Sequence, residues 1–207
     1  MSETLIIFSR YPEPGKTKTR MIPALGAKGA ADLQRQMTEH TLNTATKLAL
    51  TRNITIEVHF AGGDIQLMSQ WLGKDVRYVP QVTGDLGNKM LSAFKRAFNL
   101  GNQRVVIIGI DCPDMGQSIL NQAFDVLEQQ DLVLGVAEDG GYYLIGLSHP
   151  CTQLFQQINW GTDRVLKQTV KIAQQQQLDV HYLSTLADVD RPEDLAIWQK
   201  YTNPKLH

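Results

Sequence analysis

Val105-Val106-Ile107-Ile108-Gly109-Ile110-Asp111-Cys112-Pro113-Asp114 is the stretch that decides the fold of this chain. Residues 105–110 form a continuous apolar run. A strand apolar on both sides belongs inside a parallel sheet whose two faces are covered. The run stops at Asp111, and in open parallel sheets ligands gather at the carboxyl ends of strands. A carboxylate placed there suits a hard divalent cation. The alternative is a helix cap, a role that fits Asp114 better than Asp111.

Working outward, strand-like and helix-like segments alternate. Residues 4–9, 76–79, 132–136, 142–147 and 180–183 read as further strands, and 54–60 alternates apolar and polar residues with strand periodicity. Residues 27–50 place Leu33, Met37, Thr41, Leu42, Ala45 and Leu48 near one helical stripe. Helices are also expected over 64–72 with Asp64 as cap, 86–100, 118–130, 162–177, and 192–201 with Pro192 at its first position. Such alternation predicts an α/β fold with a mostly parallel sheet. No internal repeat or linker divides the chain, so residues 1–207 are expected to form a single domain.

The 207 residues carry 20 Lys plus Arg against 21 Asp plus Glu, a formal net charge of −1. That balance argues against a protein that coats nucleic acid or an anionic membrane. The two cysteines, Cys112 and Cys151, make neither a disulfide framework nor a cysteine-rich zinc site. Cys112 reads best as a small buried apolar residue. His40, His59, His149, His181 and His207 lack metal-ligand spacing. No apolar run approaches about 18 residues, and the N-terminus has no signal-peptide pattern, so a cytoplasmic protein is expected.

The loops at the strand ends hold the candidate chemistry. After the first strand, Arg10, Lys16, Lys18 and Arg20 fall within eleven residues, beside Gly15. Lysine supplies point charge, arginine a bidentate fork, and glycine exposed amides, so this loop suits phosphate oxygens. A solvated basic loop is the plainer alternative. After the 132–136 strand come Glu138-Asp139-Gly140-Gly141. The paired glycines let backbone pass close to a bound group, while Asp-Gly is also a strong hairpin signal. Asp188-Val189-Asp190 precedes the last helix. Both aspartates can reach one ion from a loop, or one of them caps the helix.

Five pieces occur in order: Tyr11-Pro12-Glu13-Pro14-Gly15-Lys16-Thr17-Lys18-Thr19-Arg20, Gly84-Asp85-Leu86-Gly87, Asp111-Cys112-Pro113-Asp114, Glu138-Asp139-Gly140-Gly141-Tyr142-Tyr143-Leu144-Ile145-Gly146 and Asp188-Val189-Asp190. Together they resemble the bacterial radical-SAM/selenodomain-associated transferase type 1 family. That family of small GT-A-like proteins is also labelled an arsenosugar-biosynthesis glycosyltransferase, in the nucleotide-diphospho-sugar transferase superfamily. The resemblance covers nearly the whole chain. It implies a GT-A (Rossmann-like) fold with helices on both faces of the sheet. It implies a nucleotide sugar or nucleoside triphosphate as substrate, a small-molecule acceptor, and a divalent metal, Mg²⁺ or Mn²⁺. By that resemblance Lys16, Lys18 and Arg20 meet phosphates, with Arg10, Gly15, Gly84, Asp85, Lys89, Gly140 and Gly141 around the nucleotide, and Asp111 and Asp190 hold the metal. Three positions depart from the family pattern: Lys89 replaces an expected Arg, Gly161 an expected Ser, and Arg191 an expected Thr.

Two reactions suit these residues. In glycosyl transfer, an acceptor hydroxyl attacks the sugar and Asp139 takes its proton. In nucleotidyl transfer, an acceptor phosphate attacks the α-phosphorus and needs cation density rather than a base. Glycosyl transfer ranks first. A nucleotide-binding module without turnover ranks behind both, because Asp111, Asp139 and Asp190 occur together.

Overall fold

A computed structural model of the chain describes residues 2–202. His207 therefore lies outside the described residues. Seven strands form one sheet in the order β3-β2-β1-β4-β6-β5-β7. They are β1 (Glu3–Arg10), β2 (Ile54–Ala61), β3 (Arg77–Pro80), β4 (Arg104–Ile108), β5 (Leu132–Ala137), β6 (Tyr142–Leu147) and β7 (Val180–Leu186). The β1–β2, β1–β4, β2–β3 and β5–β7 pairs are parallel. β6 runs antiparallel to both its neighbours, β4 and β5.

The apolar runs explain the two layers around this sheet. Successive strand residues point to opposite faces. Leu5, Ile7, Val106 and Ile108 enter one core with α1 (Ile22–Ala49), α2 (Ile65–Leu72), α4 (Gln117–Val126) and α6 (Leu195–Thr202). Ile6, Val105, Ile107, Leu132 and Leu134 enter the other with α3 (Leu86–Asn99) and α5 (Val165–Gln175). Helices thus cover both faces, as expected. The chain leaves β1 for β2 and β3 on one side, then returns to β4 on the other. The crevice of the sheet opens where that order reverses, at the carboxyl ends of β1 and β4.

Several boundaries differ from expectation for identifiable reasons. A short helical turn from Ile22, led in by a 3₁₀ turn at Thr19–Met21 and carrying Pro23, precedes the expected 27–50 helix. Gly26, at φ 69, separates the two. Asp64 does cap α2, accepting from the Leu67 amide at 2.8 Å. Asp114 does not cap α4: Gly116 takes that position, and the Asp114 carboxylate accepts from Tyr201 Oη. The 162–177 helix starts only at Val165, because the Thr162 hydroxyl donates to the Asn159 carbonyl at 2.7 Å and holds a preceding turn. The last helix is divided into a 3₁₀ turn at Pro192–Asp194 and α6. β7 runs on to Leu186 because Ala137 pairs with Leu186 beyond an irregularity in β5.

One charged cluster ties β2, β3 and α3 together beneath the crevice. Glu57 has 2% of its side chain exposed and accepts from Arg96 at 2.7 Å, from Arg77 at 3.1 Å and from His59 at 2.9 Å. Burial alone would raise this carboxyl, but the bonds from His59 and Arg96 outweigh burial and hold it down at about 2. A carboxylate depressed on folding stabilises above its unfolded value and loses that contribution as pH falls through its folded value. We expect about 3 kcal/mol of stability to disappear between roughly pH 4.5 and pH 2 through this group. Urea unfolding across that window checks it: Glu57→Gln should flatten the slope while lowering stability at pH 7. An unchanged slope in the variant would assign the acid sensitivity elsewhere.

Candidate functional site

Two clefts open along the carboxyl ends of the strands, and they share a border. The first, of about 470 Å³, is lined by Arg10, Lys16, Lys18, Arg20 and Lys89, with Asp111 and Asp190 at its edge. The second, of about 780 Å³, is lined by Glu138, Asp139, Asp163, Asp188 and Asp194 together with Tyr142, Tyr143 and Trp160. Arg20, Leu86, Asp111 and Asp190 line both. One cleft is therefore rich in cations and the other in carboxylates and rings, and they meet at Asp111 and Asp190.

The loop after β1 buries one of its cations, Lys18, and leaves Arg10, Lys16 and Arg20 exposed. Lys18 adopts a left-handed backbone, φ 45, which is uncommon outside glycine. Its ammonium donates to Asp111 Oδ1 at 2.7 Å and to the Val189 carbonyl. Only 3% of the Lys18 side chain is exposed, against 48% of Asp111. The Val189 amide in turn donates to the Asp111 carbonyl at 2.8 Å. These bonds lay the 188–190 loop against the end of β4 and bring the two sequence-distant aspartates to one place. Arg20 pairs with Asp190, whose carboxylate raises the guanidinium, with Asp139 and Asp188 adding to it.

Neither Asp188 nor Asp190 caps the last helix. Asp194 does this by reaching back to the amides of Asp190 at 3.1 Å and Arg191 at 2.7 Å. Asp188 and Asp190 are thereby left for the cleft. Burial raises the Asp188 carboxyl, and Asp139, Asp111 and Asp190 raise it further. Burial first, and then Asp111, Asp188 and Asp139, push up the Cys112 thiol, so Cys112 stays a buried neutral thiol as expected. Such crowding of negative charge suits a cation. Among the described residues no three His, Cys, Asp or Glu side chains are arranged as a complete metal cage. Two carboxylates with phosphate and water oxygens completing the shell is the usual arrangement for Mg²⁺, so the donor set fits.

Of the other expected site residues, some line the clefts and some do not. Asp85 serves as the N-cap of α3, accepting from the Asn88 amide at 2.8 Å. Gly15 and Gly84 are not among the residues lining either cleft. Lys16 reaches the first cleft but is paired with Glu13 at 2.7 Å. The glycine pair is a hairpin turn across the β5–β6 connection: the Gly140 amide donates to the Ala137 carbonyl, and the Ala137 amide donates to the Gly141 carbonyl. That turn still delivers Asp139 and Gly141 to the second cleft. Asp139 Oδ1 accepts from the Gly141 amide at 2.8 Å, which fixes the carboxylate's direction. Gly140 does not line either cleft, and a Cβ there would lie 2.4 Å from the Asp163 carbonyl oxygen. The bare Cα of Gly140 is thus used against the Asp163 backbone.

The site also has residues that sequence reasoning did not assign. Leu86 is an exposed apolar side chain at the shared border. Trp160 packs over Gly87, where a Cβ would come within 2.5 Å of the indole nitrogen. The signal for both was the Gly84-Asp85-Leu86-Gly87 piece, whose last glycine is a seat for an aromatic ring.

Residues 42–162 match the family described as "Uncharacterized protein conserved in bacteria (DUF2064)". The chain belongs to the DUF2064 family. A structure from Desulfovibrio desulfuricans G20, provisionally named a nucleotide-diphospho-sugar transferase, is 33% identical with a TM-score of 0.90, covering 99% of this chain and 89% of the other. The 4-diphosphocytidyl-2C-methyl-D-erythritol synthase of Anaerococcus prevotii DSM 20548 shares the fold at 12% identity, TM-score 0.63, covering 97% and 96% of the two chains. Rv0371c of Mycobacterium tuberculosis H37Rv, in a complex with manganese, shares it at 15% identity, TM-score 0.60, covering 97% and 99%. No curated protein matches the chain in sequence. This DUF2064 member thus has the α/β fold of nucleotide-diphospho-sugar transferases, and no helix of its described residues is long and apolar enough to cross a membrane.

Proposed function

We propose that this DUF2064 protein is a metal-dependent glycosyltransferase that takes a nucleotide-diphosphate sugar and passes the sugar to a hydroxyl of a small-molecule acceptor. The observation that carries this reading is the opposite lining of two clefts meeting at Asp111 and Asp190. A diphosphate suits the cationic cleft. A sugar and a neutral acceptor suit the second, where aromatic faces pack against sugar rings and carboxylates accept from hydroxyls. The name given to the Desulfovibrio desulfuricans relative favours the same donor class. In this reading residues 1–207 act as one cytoplasmic transferase domain, and the finer kinship with radical-SAM-associated transferases belongs to the same proposal.

Asp111 and Asp190 would hold Mg²⁺ or Mn²⁺, which supplies charge stabilisation for a departing nucleoside diphosphate. Lys18 fixes Asp111 in place. Arg20, Lys16, Arg10 and Lys89 neutralise phosphate oxygens from the first cleft. Asp139, held by the Gly141 amide, accepts the proton of the acceptor hydroxyl. Asp163, Asp188 and Glu138 exclude a competing anion from the acceptor side by like-charge repulsion.

The second reading is nucleotidyl transfer. It is favoured by the density of cations in the first cleft and by the fold shared with the 4-diphosphocytidyl-2C-methyl-D-erythritol synthase. A panel of nucleotide sugars and nucleoside triphosphates with Mn²⁺ separates the two. We expect slow release of nucleoside diphosphate from a nucleotide sugar, with water as a poor acceptor, and no pyrophosphate from any triphosphate. Pyrophosphate release with a phosphorylated acceptor would reverse the ranking. Binding at 100 times Kd adds about 2.7 kcal/mol of stability, so a thermal-shift screen of the same panel identifies the donor first.

A further inference from the structure

We propose that Arg20 is an exchangeable counter-ion which keeps a divalent cation off Asp190 until nucleotide phosphates arrive, so that metal and nucleotide bind together rather than in sequence. This rests on the proposed function, in which the site takes a nucleotide with a metal.

The two cations on the two aspartates are held very differently. The Lys18 ammonium is buried and has acceptors on two separate segments, Asp111 on the end of β4 and the Val189 carbonyl on the late loop. Moving it would strand a buried charge, which is strongly unfavourable. Lys18 is a fixed positioning residue. Arg20 has 63% of its side chain exposed and, among the described residues, one ion-pair partner, Asp190, itself 30% exposed. Exposed ion pairs of this kind are weak and break readily.

Arg20 also stands where exchange is geometrically simple. It lines both clefts, with the phosphate-lining cations Lys16 and Lys89 in the first and Asp139 and Asp188 in the second. A guanidinium fork matches a carboxylate and a phosphate equally well. A lone divalent ion must displace this guanidinium and lose its own water for one freed carboxylate. A nucleotide diphosphate changes the balance twice. It offers the guanidinium a new anionic partner, and it brings oxygen ligands for the ion. Metal and nucleotide affinities must then rise together, by the same factor in either order.

The test is Mn²⁺ binding to the full chain, monitored by electron paramagnetic resonance of free Mn²⁺, with and without a nucleoside diphosphate. In Arg20→Gln, Mn²⁺ without nucleotide should bind about 5- to 50-fold tighter than in the wild type, and the tightening caused by nucleotide should shrink by a similar factor. Arg20→Lys, which keeps the competing charge, should stay near the wild type in the absence of nucleotide. Unchanged or weaker Mn²⁺ binding in Arg20→Gln overturns the proposal, as does the absence of Mn²⁺ binding in both proteins. Failure of the nucleotide reading looks different: no nucleotide alters Mn²⁺ affinity in the wild type, whatever Arg20→Gln does to Mn²⁺ alone.

Discussion

Asp139→Asn is expected to lower sugar transfer by at least about 100-fold while leaving nucleoside diphosphate affinity within about 0.5 kcal/mol of the wild type. The asparagine keeps the side-chain oxygen that accepts from the Gly141 amide at 2.8 Å, so the turn survives the substitution. What it removes is the charge and the basicity of the other oxygen. Those matter only when the acceptor hydroxyl gives up its proton, a requirement of the transition state and not of donor binding. Asp139 lines the acidic cleft and is absent from the lining of the cationic one, which under the proposed function separates it from the phosphates. Initial rates with saturating donor give the first quantity and calorimetric titration gives the second. If pyrophosphate release from a triphosphate persists in Asp139→Asn, the carboxylate is not a base and the chain transfers nucleotides.

Gly140→Ala should destabilise the fold by about 2–5 kcal/mol, from two effects that add at one residue. Gly140 has φ 88, in the left-handed region that a Cβ disfavours. The same Cβ would meet the Asp163 carbonyl oxygen at 2.4 Å and its Cα at 2.8 Å, both backbone atoms that cannot rotate away. The Leu166 amide donates to the Gly140 carbonyl at 3.0 Å, so relief by moving the hairpin would also break the start of α5. A lowering of Tm by roughly 4–20 °C is expected for a chain of this length. Gly15→Ala is the control: its φ is also positive, at 80, but none of the described residues comes within 4 Å of the added Cβ, so only the backbone effect remains. Equal shifts in the two variants would show that the Asp163 contact contributes nothing.

These two glycines mark where reading from sequence stops. Asp139-Gly140-Gly141 could be recognised as a special turn, since Asp-Gly is a local signal. Which face of Gly140 is crowded depends on Asp163, which arrives from the far side of β6. The same division runs through the site. Asp111 and the cations after β1 were legible because each follows an apolar run, and strand ends are where ligands collect. Gly-Asp-Leu-Gly also spells a helix start, and the Asp85 carboxylate serves as that cap, a use that the four letters alone do not separate from a place beside a nucleotide. Asp188 was visible in the Asp-Val-Asp stretch but unranked, since nothing local shows that Asp194 would do the capping.

By itself the sequence determined the kinds of element and their order. Apolar runs, alternation and helical stripes are properties of neighbours in the chain, and they specify strands, helices and the loops between them. Only the tertiary structure decided that β6 runs against its neighbours, and that the cationic and acidic clefts meet at one pair of aspartates. Lys18 finds Asp111 across 93 residues, and Arg20 finds Asp190 across 170. No local pattern encodes such a pairing. It arises from the strand order, which carries the ends of β1 and β4 side by side, and from the backbone bond of Val189 to Asp111 that closes the site.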